Sequence, residues 1–235
     1  MIRARDLVVT LGGRRVLDHV GLDVAQGEAV ALVGANGAGK TTILRCLLGL
    51  VRYRGEVRVG GIDAAVDPIG AKRLIGYLPQ VPTFCEETAR GSLRFIAALR
   101  GASQRELPAL LERVGLAAHA GRPVRNFSTG MRQRLSLAAA LVGAPSVLIL
   151  DEPTASLDLK GQVEIAALLK GLQTDGLTLL LASHRAEEIR ALADRIVALD
   201  EGRVVAAGPV AEVAEAVWGR PPARGPALAS PRSLQ

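Results

Sequence analysis

The segment Gly34-Ala35-Asn36-Gly37-Ala38-Gly39-Lys40-Thr41-Thr42 limits what this chain can fold into more than any other. It fits the pattern G-x-x-x-x-G-K-[ST], the phosphate-binding P-loop. In front of it runs Glu28–Gly34 (EAVALVG), a continuous apolar stretch of the kind that makes a strand buried on both faces. Behind it the pattern predicts a helix from Lys40 to about Leu50. In a strand–turn–helix of this kind, the glycines let successive backbone N–H groups curl toward phosphate oxygens. The helix adds its positive N-terminal end. Lys40 is expected against the outer phosphates, and Thr41 is expected to offer its hydroxyl to Mg²⁺.

A second segment, Val147-Leu148-Ile149-Leu150-Asp151-Glu152-Pro153, is a buried strand with two carboxylates at its C-terminal end. In an open α/β sheet, ligands bind beyond that end of the strands. Asp151 is therefore expected on Mg²⁺, and Glu152 as the base that takes a proton from an attacking water. Alone, such a segment would read as a strand ending in a charged turn. Together with the P-loop it points to magnesium-dependent hydrolysis of a nucleoside triphosphate.

Composition removes other classes. The chain has 235 residues, of which 49% are hydrophobic and 3% aromatic, with a net charge of +6. The length allows a large core, and the apolar content argues against general disorder. The cysteines Cys46 and Cys85 form no C-x-x-C pair and read as small buried hydrophobes. The positive charge is nearly all arginine, in no long basic run and with few aromatics to stack on bases, so no nucleic-acid partner is expected. The longest apolar stretch, Leu135–Leu150, is broken by Gly143 and Pro145, and a membrane-spanning helix needs about 20 apolar residues. The segment Met1–Asp6 has charge but no apolar h-region, and so does not read as a signal peptide.

Along the chain, strands are expected at Asp6–Leu11, Glu56–Val59, Val147–Leu150, Leu177–Ser183, Arg195–Leu199 and Val204–Ala206. Helical spacing appears at Arg90–Arg100, Arg105–Val114, Arg132–Val142, Lys160–Leu172, Ala186–Leu192 and Ala211–Trp218. Strands alternating with helices predict an α/β fold with a mostly parallel sheet, and a helical part inserted at about 80–143. Trp218 reads as an anchor for the last helix. The stretch 219–235 is rich in Pro, Ala, Arg and Ser, and is expected to be a disordered tail.

A third motif narrows the reading. Phe127-Ser128-Thr129-Gly130-Met131-Arg132-Gln133-Arg134 stands before a helix, with Ser128 a candidate N-cap. The segment resembles the LSGGQ-x-Q-R signature of the nucleotide-binding subunits of ABC transporters. The resemblance extends to Gln80 in Gly76-Tyr77-Leu78-Pro79-Gln80 (the Q-loop), to Ala155-Ser156-Leu157-Asp158 (the D-loop), and to His184, the switch histidine, after Leu181-Ala182-Ser183. By itself His184 reads as a capping or core residue, as do His19 and His119, which match nothing. The signature departs from the family pattern at Phe127, Thr129 and Met131, where Leu, Gly and Gln are usual, and the following helix has Ala139 where an arginine is common. Where the family has an adenine-stacking aromatic, the sequence reads Thr10-Leu11-Gly12-Gly13. Leu11 and Val16 are then the base contacts, apolar but without stacking.

The resemblance covers the chain to about residue 218. It implies a P-loop NTPase core with an N-terminal antiparallel β subdomain and an inserted helical subdomain. It implies a stand-alone ATP-hydrolysing subunit in which two copies, or one copy and a close relative, pair head to tail. ATP would lie between the P-loop of one and Ser128–Gly130 of the other, with Asp158 touching the opposite subunit. His184 would contact the γ-phosphate. Gln80 would join the Mg²⁺ site to the helical part, whose surface at 81–94 would receive a helix of an integral membrane permease. The expected location is the cytoplasmic face of the inner (plasma) membrane, as a peripheral subunit.

The form of the signature resembles export or cofactor-maturation systems: drug or antibiotic efflux, haem export, or copper-site maturation of nitrous oxide reductase. The alternatives are an ABC ATPase acting in translation or on chromosomes, and a regulatory subunit that scarcely hydrolyses ATP. Against these stand the single ATPase domain, the lack of sustained heptads, and the presence of both Glu152 and His184.

Overall fold

A computed structural model describes residues 1–84 and 88–218. Cys85 and the tail expected at 219–235 lie outside the described residues. The N-terminal part forms β1 (Ile2–Leu11), β2 (Arg14–Val24), β3 (Ala29–Val33), α1 (Lys40–Leu47), β4 (Arg54–Val59) and the short β5 (Ile62–Asp63). After α2 (Pro68–Arg73) and β6 (Ile75–Leu78) come the helices α3 (Ala89–Arg100), α4 (Leu107–Arg113) and α5 (Thr129–Leu141). The chain continues through β7 (Val147–Asp151), α6 (Leu159–Thr174), β8 (Thr178–Ala182), α7 (Ala186–Leu192), β9 (Arg195–Asp200), β10 (Arg203–Pro209) and α8 (Val210–Trp218).

Two sheets result. One has four strands in the order β2-β1-β4-β5, with all neighbours antiparallel. The other has six, ordered β10-β9-β3-β8-β7-β6, parallel throughout except for the edge strand β10. Every residue of β3, β7 and β8 is buried, which is why their sequences are runs of Val, Leu, Ile and Ala, broken only by Asp151 at the end of β7 and Thr178 at the start of β8.

Alternation along the central strands divides the core in two. Val30, Leu32, Ile149 and Leu180 face α1, where Ile43, Leu44 and Leu47 are fully buried between the two sheets. Each such side chain contributes about 1.5–3 kcal/mol. Cys46 lies in the same layer, where burial pushes its thiol up to about 12. It is a packing residue, as expected. Ala29, Ala31, Leu148, Leu150, Leu179 and Leu181 face the other way, onto α5, α6 and α7. Trp218 packs beside this second layer with Arg190 over its ring, anchoring α8.

Four expectations change. Strand β2, absent from the strands expected above, is the longest among the described residues, spanning 11 residues. Its three breaks of register opposite β1 disturb the simple alternation. Strand β6 contains Gly76 and was not among the expected strands, yet it is the edge of the parallel sheet, and a Cβ on Gly76 would meet the Ala140 carbonyl oxygen at 2.2 Å. Helix α2 was not expected at all. Helix α1 ends at Leu47 rather than near Leu50, with Leu48 as its cap and Gly49 in the left-handed region.

Candidate functional site

The site lies at the C-terminal ends of the parallel strands. Leu78 pairs with Leu150, Asp151 with Ala182, and Ala182 with Leu32. Gln80, Glu152, His184 and Gly34 each follow one of these strand ends by one or two residues. Residues scattered over the sequence from 34 to 184 thus meet along one edge, because all four strands point the same way.

The P-loop has its curl built in. Gly34, Gly37 and Gly39 take φ values of 149°, 85° and 107°. A Cβ on Gly34 would come within 2.3 Å of the Leu199 carbonyl oxygen, and one on Gly39 within 2.6 Å of Leu17 Cδ2. The β9–β10 turn holds the loop from outside: the Gly202 N–H donates to Ala38 O at 3.2 Å, and the Asp18 N–H donates to Gly202 O at 2.9 Å. Val16 crosses above, its carbonyl oxygen 3.3 Å from where a Gly39 Cβ would be. This places Val16 next to the loop. Leu11, at the end of β1, is exposed. Ala35 and Asn36 are also exposed, Ala38 is buried, and Thr42 is buried inside the first turn of α1. The Lys40 ammonium folds back on its own loop, donating to Gly34 O at 2.7 Å and Ala35 O at 3.2 Å. These two carbonyls keep the buried charge solvated beside the anion cradle.

Thr41 and Asp151 meet across the sheet edge, hydroxyl to carboxylate, at 3.4 Å. Burial pushes the Asp151 carboxyl above its ordinary range and the neighbouring Glu152 charge adds to this, while Thr41, Arg45 and Lys40 pull the other way. Two hard oxygen donors and an undercompensated pair of carboxylates fit a divalent cation such as Mg²⁺. Glu152 is buried and has a left-handed backbone, φ 49°, a conformation that costs about 1–3 kcal/mol in a non-glycine residue. Its N–H is pinned to Ala182 O at 2.9 Å. One carboxylate oxygen meets His184 Nδ1 at 2.8 Å; the other, Oε2, is buried without a partner. An orphaned carboxylate oxygen beside an exposed imidazole is suited to holding a water. Gln80 is exposed just past β6, and no hydrogen bond of its side chain ties it to the other site residues.

Ser128 caps α5, its Oγ accepting from the Met131 N–H at 3.2 Å. Arg132 donates to Phe127 O at 2.6 Å, and the buried Gln133 donates to Pro153 O at 2.7 Å, linking this helix to the loop after Glu152. Ser128, Gly130 and Asp158 line one cleft of about 600 Å³, which no residue of the P-loop lines. Asp158 also caps α6 through the Gly161 N–H at 2.9 Å. Met131 is half-buried, packed against the core on one side and lining the same cleft on the other.

Within a single chain, then, the structure forms two groups: the P-loop with Asp151, Glu152 and His184, and a separate cleft with Ser128, Gly130 and Asp158. Sequence reasoning missed Glu188, which is buried between the loops after β7 and β8. An acidic residue in the first turn of a helix is too common a signal to have found it.

The family model for ABC transporters matches residues 17–155, from β2 through the P-loop to the segment after Glu152. The chain belongs to the ABC transporter family. Among its ABC relatives, the lantibiotic transport ATP-binding protein SrtF of Streptococcus pyogenes is 32% identical over 206 residues, covering 87% of this chain and 89% of SrtF. The daunorubicin resistance ATP-binding protein DrrA3 of Streptomyces coeruleorubidus is 40% identical over 208 residues, covering 86% and 66%. A solved dimer of the ATP-binding cassette MJ0796, in a post-hydrolysis state bound to ADP and Pi, superposes with a TM-score of 0.77 at 26% identity. It covers 89% of this chain and 99% of that one. As an ABC ATP-binding subunit, the chain is an ATPase coupled to transport. Among the described residues, no helix is long and apolar enough to cross a membrane.

Proposed function

We propose that this ABC ATPase closes as a head-to-tail dimer, with itself or a close relative, around Mg-ATP, and that it drives an export-type permease. The split of its ATP-contacting residues between two groups supports the first part. A cleft offering Ser128, a glycine backbone and a helix N-terminus to an anion needs a phosphate supplied from elsewhere. A second chain's P-loop can supply it. ATP then favours the closed pair because its γ-phosphate is bound on both sides only there.

In this reading the P-loop amides of residues 34–42 and Lys40 bind the phosphates. Lys40 exchanges its two carbonyl partners for phosphate oxygens. Thr41, Asp151 and Gln80 would hold Mg²⁺, which when bound neutralises charge on the phosphate oxygens. Glu152 Oε2, buried and unpartnered, accepts the proton of the attacking water. His184 fixes the carboxylate through Oε1 and offers its other ring nitrogen to the γ-phosphate. Leu11 and Val16 contact the base, and Asp158 touches the opposite subunit.

The surface at 81–94, of which residues 85–87 lie outside the described residues, would take a short helix of the membrane partner; Val81 is 71% exposed. This would hold the chain at the cytoplasmic face of the inner membrane. Two relatives named for lantibiotic transport and daunorubicin resistance favour export of a small hydrophobic or peptide antibiotic over cofactor maturation as the cargo class.

The observation that carries the catalytic assignment is the free Oε2 beside the His184–Glu152 pair. Glu152→Gln should bind ATP with ordinary affinity and lose hydrolysis by at least 10²-fold. A Glu152→Gln variant that hydrolyses at the original rate would remove Glu152 as the base.

A further inference from the structure

We propose that Glu188 is a positioning residue for hydrolysis, a buried clamp that holds the loop bearing Glu152 against the loop bearing His184. Both carboxylate oxygens are committed. Thr154 Oγ1 donates to Oε1 at 2.7 Å, and Ser183 Oγ donates to Oε2 at 2.5 Å. All three residues are buried, Ser183 completely. Thr154 is two residues after Glu152, and Ser183 immediately precedes His184. The pairing of β7 with β8 ends at Asp151–Ala182, before either catalytic side chain emerges. Past that point Glu188 bridges the two loops from behind, while the Glu152–His184 contact of 2.8 Å closes them in front.

The placement is chemically costly. Burial pushes the Glu188 carboxyl above its ordinary range, and the nearby Glu152 charge pushes it the same way; the two hydroxyl donors oppose this. A residue that only had to fill the space under α7 could be a leucine or methionine. A carboxylate is suited because each of its two oxygens can accept from a hydroxyl on a different segment of the chain. Ser183 Oγ also accepts from the Arg185 N–H at 3.1 Å, so the hydroxyl sits in a fixed direction. Glu188 touches none of the reacting atoms and acts through the geometry of Glu152 and His184.

The inference rests on Glu152 being the base, and the test separates the two. ATP hydrolysis is measured in single and multiple turnover on the full chain, together with affinity for a fluorescent ATP analogue. Glu188→Ala should lower kcat about 10- to 100-fold, the loss that follows a misplaced catalytic pair. KM and analogue affinity should change less than about twofold, because the P-loop is untouched. Glu188→Gln should recover kcat to within about threefold, since the amide can accept from Ser183 and donate to Thr154. In a His184→Ala background, Glu188→Ala should cost less than about threefold more, because the pair it aligns is already broken.

A Glu188→Ala kcat equal to wild type overturns the clamp. So does the full loss repeated in the His184→Ala background, which is the mark of a purely structural residue. Should Glu188→Ala fail to fold, Ser183→Ala and Thr154→Val each remove one arm, and unchanged kcat in both overturns it equally. Unimpaired hydrolysis by Glu152→Gln strikes at the base itself, whatever Glu188 does.

Discussion

Replacing Gly34 by alanine, with Gly37→Ala as its control, tests whether the P-loop is shaped by its surroundings or only by its own glycines. Both have positive φ, 149° and 85°, so each alanine is strained by about 1–2 kcal/mol. They differ in space. At Gly37 an added Cβ meets nothing within 4 Å. At Gly34 it meets the Leu199 carbonyl oxygen at 2.3 Å, the Leu199 carbonyl carbon at 3.3 Å and the Ala38 Cβ at 3.0 Å. Leu199 is in β9, whose neighbour Ala198 pairs with Val33, so its backbone cannot withdraw without opening the parallel sheet. Overpacking of this kind adds about 1–3 kcal/mol. Gly34→Ala should therefore cost about 2–5 kcal/mol and Gly37→Ala about 1–2. At about 2–4 °C per kcal/mol for a chain of this size, the melting temperatures should fall by about 4–20 °C and about 2–8 °C. Calorimetry or thermal fluorescence with and without Mg-ATP reads both. Nucleotide should rescue Gly34→Ala less than wild type, because a displaced first glycine takes its amide out of the cradle. Equal melting temperatures for the two variants, or a Gly34→Ala protein as stable as wild type, would refute the steric argument.

Asp151→Asn should stabilise the protein without nucleotide while abolishing its stabilisation by Mg-ATP. The sign follows from linkage. A carboxyl raised in the folded state binds its proton more tightly there, so wild-type stability falls as pH rises from the unfolded value, 3.8, through the folded one. The advantage of asparagine should be full at neutral pH and vanish in acid; denaturant melts at several pH values would show it, and an asparagine variant less stable at pH 7 would contradict it. Leu11→Tyr should tighten binding of ATP by adding base stacking, about 1–3 kcal/mol or 5- to 150-fold. Competition binding against the wild type measures this, and an unchanged affinity would mean that the β1–β2 turn does not reach the base.

Much of this architecture can be read from the sequence because its central strands are buried on both faces. Val147–Leu150 and Ala29–Val33 are unbroken apolar runs, too short for a helix and bounded by turn residues, and so read as buried strands. At their ends the P-loop and the Asp151–Glu152 pair stand out by motif and position, whereas Gln80 and His184 are singled out only by the family resemblance. What escaped depends on neighbours. Strand β6 holds a glycine because Ala140 presses on it, and β2 loses its alternation at the register shifts opposite β1. The left-handed backbone of Glu152 and its buried, unpartnered carboxylate oxygen have no local signal at all. The Glu188 clamp joins residues 154, 183 and 188 through space, which no local spacing rule could reveal.

The central claim is that one chain's P-loop and another's Ser128 cleft share a nucleotide. Its most direct test is the solution mass of Glu152→Gln, by light scattering, with and without Mg-ATP. The expected result is twice the chain mass with Mg-ATP, a single chain mass without it, and no dimer when Ser128→Arg is added to both partners. A Glu152→Gln protein that binds ATP but keeps the mass of one chain, or a dimer indifferent to Ser128→Arg, would contradict the account.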